Sequence, residues 1–137
     1  MHALLFLCFV AFVRGQFDTS VMRHYLDLSF ARYDHTPMDG VIEEVEWDST
    51  VYKDDANNDT CVNVIEYANA HTCPKKLDLF HHYDHNQDSC LKVGDLSEEF
   101  HSIDFNNDNI VSLKEWEDYF IQLTRHLFPT FGTAPGK

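Results

Sequence analysis

The chain has 137 residues, with 10 Lys and Arg against 23 Asp and Glu and a formal charge of -13 at pH 7. That length fits one domain, and 44% hydrophobic residues suffice for a buried core rather than a disordered acidic tail. The acid excess excludes a nucleic-acid binder, because phosphate contacts need a Lys/Arg surface that this chain lacks; it favours cations or basic partners.

Residues 3–13 (ALLFLCFVAFV) form an unbroken apolar run, too short to span a bilayer and suited to the core of a signal peptide. Val13-Arg14-Gly15 then predicts a cut after residue 15 that leaves Gln16 at the N-terminus, so the mature chain is expected to be secreted. Its loss removes Cys8 and Arg14 but no acid. No later stretch approaches transmembrane length.

Beyond Gln16 the chain carries two copies of one pattern. Phe30 and Tyr33, at helical spacing, precede an acidic stretch over 34–46 that reads Asp34-His35-Thr36-Pro37-Met38-Asp39-Gly40, then Ile42 and Glu46. An eight-residue spacer, 47–54, places Trp47 and Val51 at i and i+4 and predicts a short helix. A second acidic stretch, 55–66, sets Asp55, Asn57 and Asp59 on alternate positions and closes with Glu66. Residues 67–83 read as helix, a break at Thr72-Cys73-Pro74, and helix again. Phe80 and Tyr83 precede a third stretch, 84–95, with Asp84, Asn86, Asp88 and Asp95; the next spacer, 96–103, puts Leu96 and Phe100 at i and i+4. The fourth stretch, 104–115, carries Asp104, Asn106, Asp108 and Glu115. A last helix with Trp116, Tyr119, Phe120 and Leu123 follows, and Pro129, Gly132, Pro135 and Gly136 predict an irregular tail over 127–137. Tyr25, Leu26, Phe30 and Tyr67 are expected to join these aromatics in the core.

Oxygen-bearing residues on alternate positions, closed by a carboxylate eleven positions after the first, suit a hard cation that takes six to eight oxygens. The four stretches resemble the 12-residue loops of EF-hand proteins. The resemblance implies an all-α array of helix–loop–helix hands, built as two tandem loop–helix–loop units with short shared helices. Unit 1 spans 16–74 with loops 34–46 and 55–66, and unit 2 spans 75–126 with loops 84–95 and 104–115. It also implies a calcium ion in each loop. Loop 4 would supply Asp104, Asn106, Asp108, Glu115 and the Ile110 carbonyl; loop 3 Asp84, Asn86, Asp88, Asp95 and the Cys90 carbonyl; loop 2 Asp55, Asn57, Asp59, Glu66 and the Cys61 carbonyl. Loop 1 offers Asp34, Asp39 and Glu46 around one extra residue. Its Asp-x-x-Pro-x-Asp-Gly pattern resembles the variant first hand of the osteonectin (SPARC) module, which carries a similar insertion, and this implies that loop 1 still binds calcium.

Eight-residue spacers are shorter than the outgoing helix, linker and incoming helix of a usual EF-hand pair. One helix of about ten residues must serve both loops and holds them roughly 15 Å apart, so loops that share a helix cannot easily face each other. Loops 2 and 3 are the expected facing pair, which brings Cys61 near Cys90. In an oxidising compartment Cys61, Cys73 and Cys90 allow one bridge and one leftover thiol; all three pairings stay open, and the odd thiol would be free to link a second copy.

Position 6 of such a loop needs a positive φ, which Gly40 adopts freely; Thr60, Ser89 and Asn109 stand there in loops 2 to 4, with Thr the worst suited. Asp95 is one carbon shorter than Glu, so loop 3 is expected to bind one-armed or to admit magnesium. Weak sites of about 10⁻⁴–10⁻³ M follow, with loop 4 the strongest. His81, His82 and His85 include a zinc-compatible i, i+4 pair but read most simply as solvated. Glu43, Glu44, Glu98, Glu99, Glu117 and Asp118 read as surface acid or as a reserve that faces mineral. Asn58-Asp59-Thr60 is an N-glycosylation sequon, but it lies inside loop 2 and reads equally as part of a calcium loop alone. No nucleophile elbow or phosphate-cradling loop is present, so catalysis is not expected. The favoured function is a secreted, extracellular-matrix calcium binder whose partners are calcium ions, calcium mineral or matrix proteins; in size and build it is similar to EF-hand matrix proteins of mollusc shell, which implies a part in biomineralisation. The alternative is an extracellular calcium-dependent sensor that docks a protein partner.

Overall fold

The computed structural model describes residues 19–35, 37–71 and 76–127. The expected signal peptide, Cys73 and the tail beyond residue 127 lie outside the described residues. Six helices run through them: α1 (Thr19–Tyr33), α2 (Glu44–Asp54), α3 (Val64–Ala70), α4 (Lys76–Tyr83), α5 (Val93–Ile103) and α6 (Leu113–Leu127). Leu127, assigned from sequence to the irregular tail, closes α6. Among the described residues no helix is long and apolar enough to cross a membrane.

The chain is mostly helical, but the all-α expectation omitted four short strands. They are β1 (Val41–Glu43), β2 (Val62–Asn63), β3 (Cys90–Leu91) and β4 (Ile110–Ser112). β1 pairs antiparallel with β4, Ile42 opposite Val111, and β2 with β3, Val62 opposite Leu91. Each sheet therefore takes one strand from each of the two units read in the sequence. Loops 2 and 3 face each other as the spacer length predicts, and Cys61 is bonded to Cys90. Loops 1 and 4 form the other pair.

Helix starts are set inside the loops. Asn63 accepts from the N–H groups of Ile65 and Glu66, and Glu66 accepts in return from the Asn63 N–H, a capping box that launches α3. The other outgoing helices also start with the last carboxylate of the loop accepting from the N–H three residues earlier, Glu46 from Glu43, Asp95 from Lys92 and Glu115 from Ser112, and Ser112 Oγ accepts in return from the Glu115 N–H. α2 and α5 are eleven residues each, and each serves two loops.

The core follows the aromatic spacing. Phe30, Tyr33, Trp47, Trp116 and Phe120 form one ring cluster, with centroids 4.4 Å apart for Trp116–Phe120 and 5.1 Å for Tyr33–Trp116. It joins α1 to α6 and both to α2. Both indoles are satisfied: Trp47 Nε1 donates to the Leu96 carbonyl at 2.7 Å and Trp116 Nε1 to Ser29 Oγ at 3.1 Å. Trp47, Val51, Leu96 and Phe100 are all buried, as their i, i+4 spacing requires, and α2 packs on α5. Tyr25 and Tyr119, expected in the core, are only half-buried.

Candidate metal centre

The four acidic loops share one hydrogen-bond scheme. In loops 2, 3 and 4 the first aspartate accepts at Oδ1 from the fifth-position N–H: Asp59 to Asp55 at 3.2 Å, Asp88 to Asp84 at 3.1 Å, Asp108 to Asp104 at 3.2 Å. Its Oδ2 accepts from the sixth, namely Thr60 at 2.8 Å, Ser89 at 2.9 Å and Asn109 at 2.9 Å. The third-position carboxamides of Asn57, Asn86 and Asn106 accept from that same fifth N–H at 2.8–2.9 Å. The fifth aspartate accepts from the seventh N–H, that of Cys61, Cys90 or Ile110. Short side chains thus curl each loop around its own oxygens.

Loop 1 joins the scheme one residue late. Asp34 Oδ1 accepts from Asp39 N–H at 2.9 Å and Oδ2 from Gly40 N–H at 2.8 Å, and Asp39 accepts from Val41 N–H at 3.3 Å. The insertion is absorbed between Asp34 and Asp39, so Asp39, Gly40 and Val41 stand where Asp59, Thr60 and Cys61 stand in loop 2. Val41 is the seventh-position residue that the sequence reading did not assign. Counting back five from Glu46 would have found it.

The closing carboxylates separate the loops. Glu46, Glu66 and Glu115 each accept with Oε2 from the N–H at the start of their outgoing helix at 3.0 Å. With Oε1 they reach back across the loop, to His35 N–H at 2.9 Å, Asn57 N–H at 3.3 Å and Asn106 N–H at 3.4 Å. Asp95 accepts from Lys92 N–H at 3.0 Å and does not reach back. Lys92 Nζ also holds Asp88 Oδ2 at 2.7 Å. That contact holds the Asp88 carboxyl below the usual range and the ammonium above it. Loop 3 therefore has the shorter closing arm and a cation already on one of its acids.

All four position-6 residues take the left-handed conformation: Gly40 at φ +89°, Thr60 at 69°, Ser89 at 65° and Asn109 at 67°. Asn58, Gln87 and Asn107 do the same two residues earlier, a second strained position that spacing alone did not announce.

Asp34, Asp55, Asp84, Asp95, Asp104, Glu46 and Glu115 are buried. Among the described residues no salt bridge to Lys or Arg reaches Asp34, Asp55, Asp84, Asp104 or Glu115. Buried carboxylates are costly unless a cation or several N–H donors compensate them. Here N–H donors do so in part, and the remaining oxygens are hard donors of the kind calcium takes. Among the described residues no three His, Cys, Asp or Glu side chains are gathered as a compact metal cluster. The donors of each loop are spaced around its turn, with carboxamide and main-chain oxygens between them. The residues present fit a calcium ion in chemistry and order.

Two sequence readings change. Glu99, read as surface acid, is fully buried. It accepts from Tyr119 Oη, and it lies 3.1 Å from His82 Nε2 and 3.3 Å from His85 Nε2. These two histidines are accordingly tied to a buried carboxylate rather than simply solvated, while His81 is exposed. The Tyr83 and Tyr119 hydroxyls are pushed well above their ordinary pKa, by burial first and the Glu99 charge second. Burial, then the neighbouring Glu44, lifts the Asp48 carboxyl to about 6. No family model, curated protein or solved structure matches the chain.

Proposed function

We propose that the chain is a secreted calcium-binding protein of the EF-hand class, acting in the extracellular matrix without catalysis of its own. The observation that carries the reading is the fourfold recurrence of one scheme, in which a first aspartate folds the loop and a last carboxylate stands at the head of the next helix. The ions would be held by Asp34, Asp39, Glu46 and the Val41 carbonyl in loop 1, and by Asp55, Asn57, Asp59, Glu66 and the Cys61 carbonyl in loop 2. Loop 3 would use Asp84, Asn86, Asp88, Asp95 and the Cys90 carbonyl; loop 4 would use Asp104, Asn106, Asp108, Glu115 and the Ile110 carbonyl. Binding requires each loop's carboxylates to converge further than they do here.

The sites are expected to be weak, about 10⁻⁴–10⁻³ M, and to fill only where calcium is abundant, which agrees with a place beside calcium mineral or matrix proteins. Loop 4 combines Asn at position 6 with a long closing arm and is the tightest. Loop 3, with Asp95 and the Lys92–Asp88 contact, is the weakest. Native mass spectrometry of the oxidised chain with millimolar calcium, against the same concentration of magnesium, tests this. Stepwise addition of up to four calcium ions is expected, and a spectrum unchanged by calcium refutes the proposal.

A further inference from the structure

Asn58-Asp59-Thr60 is the only Asn-x-Ser/Thr sequence in the chain. Its asparagine falls at loop position 4, between the proposed ligands Asn57 and Asp59 but not one of them. Asn58 and Thr60 are both exposed, and among the described residues the Asn58 carboxamide has no hydrogen-bond partner, whereas its neighbour Asn57 spends its own on Asp59 N–H. An exposed, uncommitted amide in a surface loop is what an N-glycan acceptor requires.

The folded loop, however, is closed to an enzyme that must grip the segment. The N–H groups of Asp59, Thr60 and Cys61 are all bonded to loop oxygens, Asn58 and Thr60 are both left-handed at φ 59° and 69°, and Cys61 is tied to Cys90. We propose that Asn58 is an N-glycosylation site modified before loop 2 curls and the Cys61–Cys90 bridge forms. This rests on the secretory reading, not on calcium binding. The donor is an oligosaccharide carried on a lipid diphosphate. The Asn58 amide nitrogen bonds to C1 of the sugar and loses a proton to base, while the C1–oxygen bond breaks and the lipid diphosphate leaves with the electron pair. Because position 4 supplies no side-chain ligand, glycan and ion are compatible in one loop.

Translation of the full chain with microsomes gives the first test. A single glycan-sized mass increase is expected, removed by endoglycosidase and absent from Asn58→Gln. Import with signal cleavage but no glycan overturns the site and leaves secretion standing; failure to import overturns both. The second test offers purified chain to solubilised oligosaccharyltransferase and its lipid-linked donor. Reduced, calcium-free chain is expected to accept sugar at least about tenfold faster than oxidised, calcium-loaded chain. Equal rates overturn the proposed order of events.

Discussion

Thr60 is the residue least suited to its place. Thr60, Ser89 and Asn109 share a φ within a few degrees, 69°, 65° and 67°, so the three positions differ in side chain and hardly in backbone. The left-handed conformation costs an L-residue roughly 1–2 kcal/mol, least for Asn and most for a β-branched side chain. Replacement by glycine removes that strain, while the freer unfolded chain takes back roughly 0.5–1 kcal/mol. Thr60→Gly should therefore stabilise by about 1 kcal/mol, Ser89→Gly by about half as much, and Asn109→Gly by about nothing. Urea unfolding of oxidised, bacterially made protein in chelator reads the series, free of any glycan lost with the sequon. Should loop 2 curl only around its ion, the same energy emerges as roughly fivefold tighter calcium at that loop in calorimetry. Gly40→Ala is the converse: a Cβ there meets nothing within 4 Å, so a net loss of about 0.5–1 kcal/mol at φ +89° is expected, the left-handed cost less the entropy removed from the unfolded chain. Equal effects at the three positions, or a destabilised Thr60→Gly, would refute the strain argument.

Asp95→Glu should let the closing arm of loop 3 reach back as Glu66 and Glu115 do, tightening calcium there on the order of tenfold in calorimetry; no gain would mean that the arm is not what limits the loop. Asp48, with its folded pKa raised from 3.8 to about 6, favours the fold while protonated, and that stability is lost as pH rises from about 4 through about 6. After discounting for solvent screening, Asp48→Asn should stabilise by about 1 kcal/mol at pH 7.5 and by nothing near pH 3.5, read as paired urea midpoints. Cys61→Ser with Cys90→Ser releases a cross-link of sequence separation 29, and chain entropy sets the loss at about 3–4 kcal/mol; a loss below about 1 would show loops 2 and 3 held together without it. Glu115→Gln should weaken calcium at loops 1 and 3 as well as loop 4, resolved by NMR titration of their glycine and asparagine amides; an effect confined to loop 4 would mean the loops act alone.

Much of the fold was legible because the spacing of the loop acids and amides and the spacing of the core are both local. Asp104, Asn106, Asp108 and Glu115 lie in one 12-residue window, and Trp47 with Val51 in one helical turn. The facing of loops 2 and 3 was legible too, since helix rise makes an eight-residue spacer a ruler. What escaped was long-range. Glu99 looks like any acid beside Glu98; only the arrival of His82, His85 and Tyr119 from other elements makes it a buried one. The β-pairs were missed because two or three residues carry no alternation pattern long enough to read. Loop 1 was read with Asp34, Asp39 and Glu46, which take part in its hydrogen bonds, and without Val41, since the insertion shifts the main-chain position but leaves Asp39 and Glu46 recognisable.

The short helices and the crossed pairing have a joint consequence. Loop 1 is tied to loop 2 through α2, loop 2 to loop 3 through β2–β3 and the disulfide, loop 3 to loop 4 through α5, and loop 4 back to loop 1 through β4–β1. The connections close into a ring, so each loop has two neighbours, one through a rigid helix and one through a strand pair. An EF-hand pair with its own linker has one such neighbour. Roughly half of the 23 acids occupy the proposed ligand positions on this ring, and their mutual repulsion is shared around it in the absence of a cation. On the proposed reading, an ion that neutralises one loop would relieve both neighbours and favour the fold by mass action, so stability is expected to rise with calcium concentration. The ring also explains why loop 3 can keep a short Asp95 and the Lys92–Asp88 contact: its geometry is held from two sides, by the bridge at Cys90 and by α5, and does not depend on its own ligands alone.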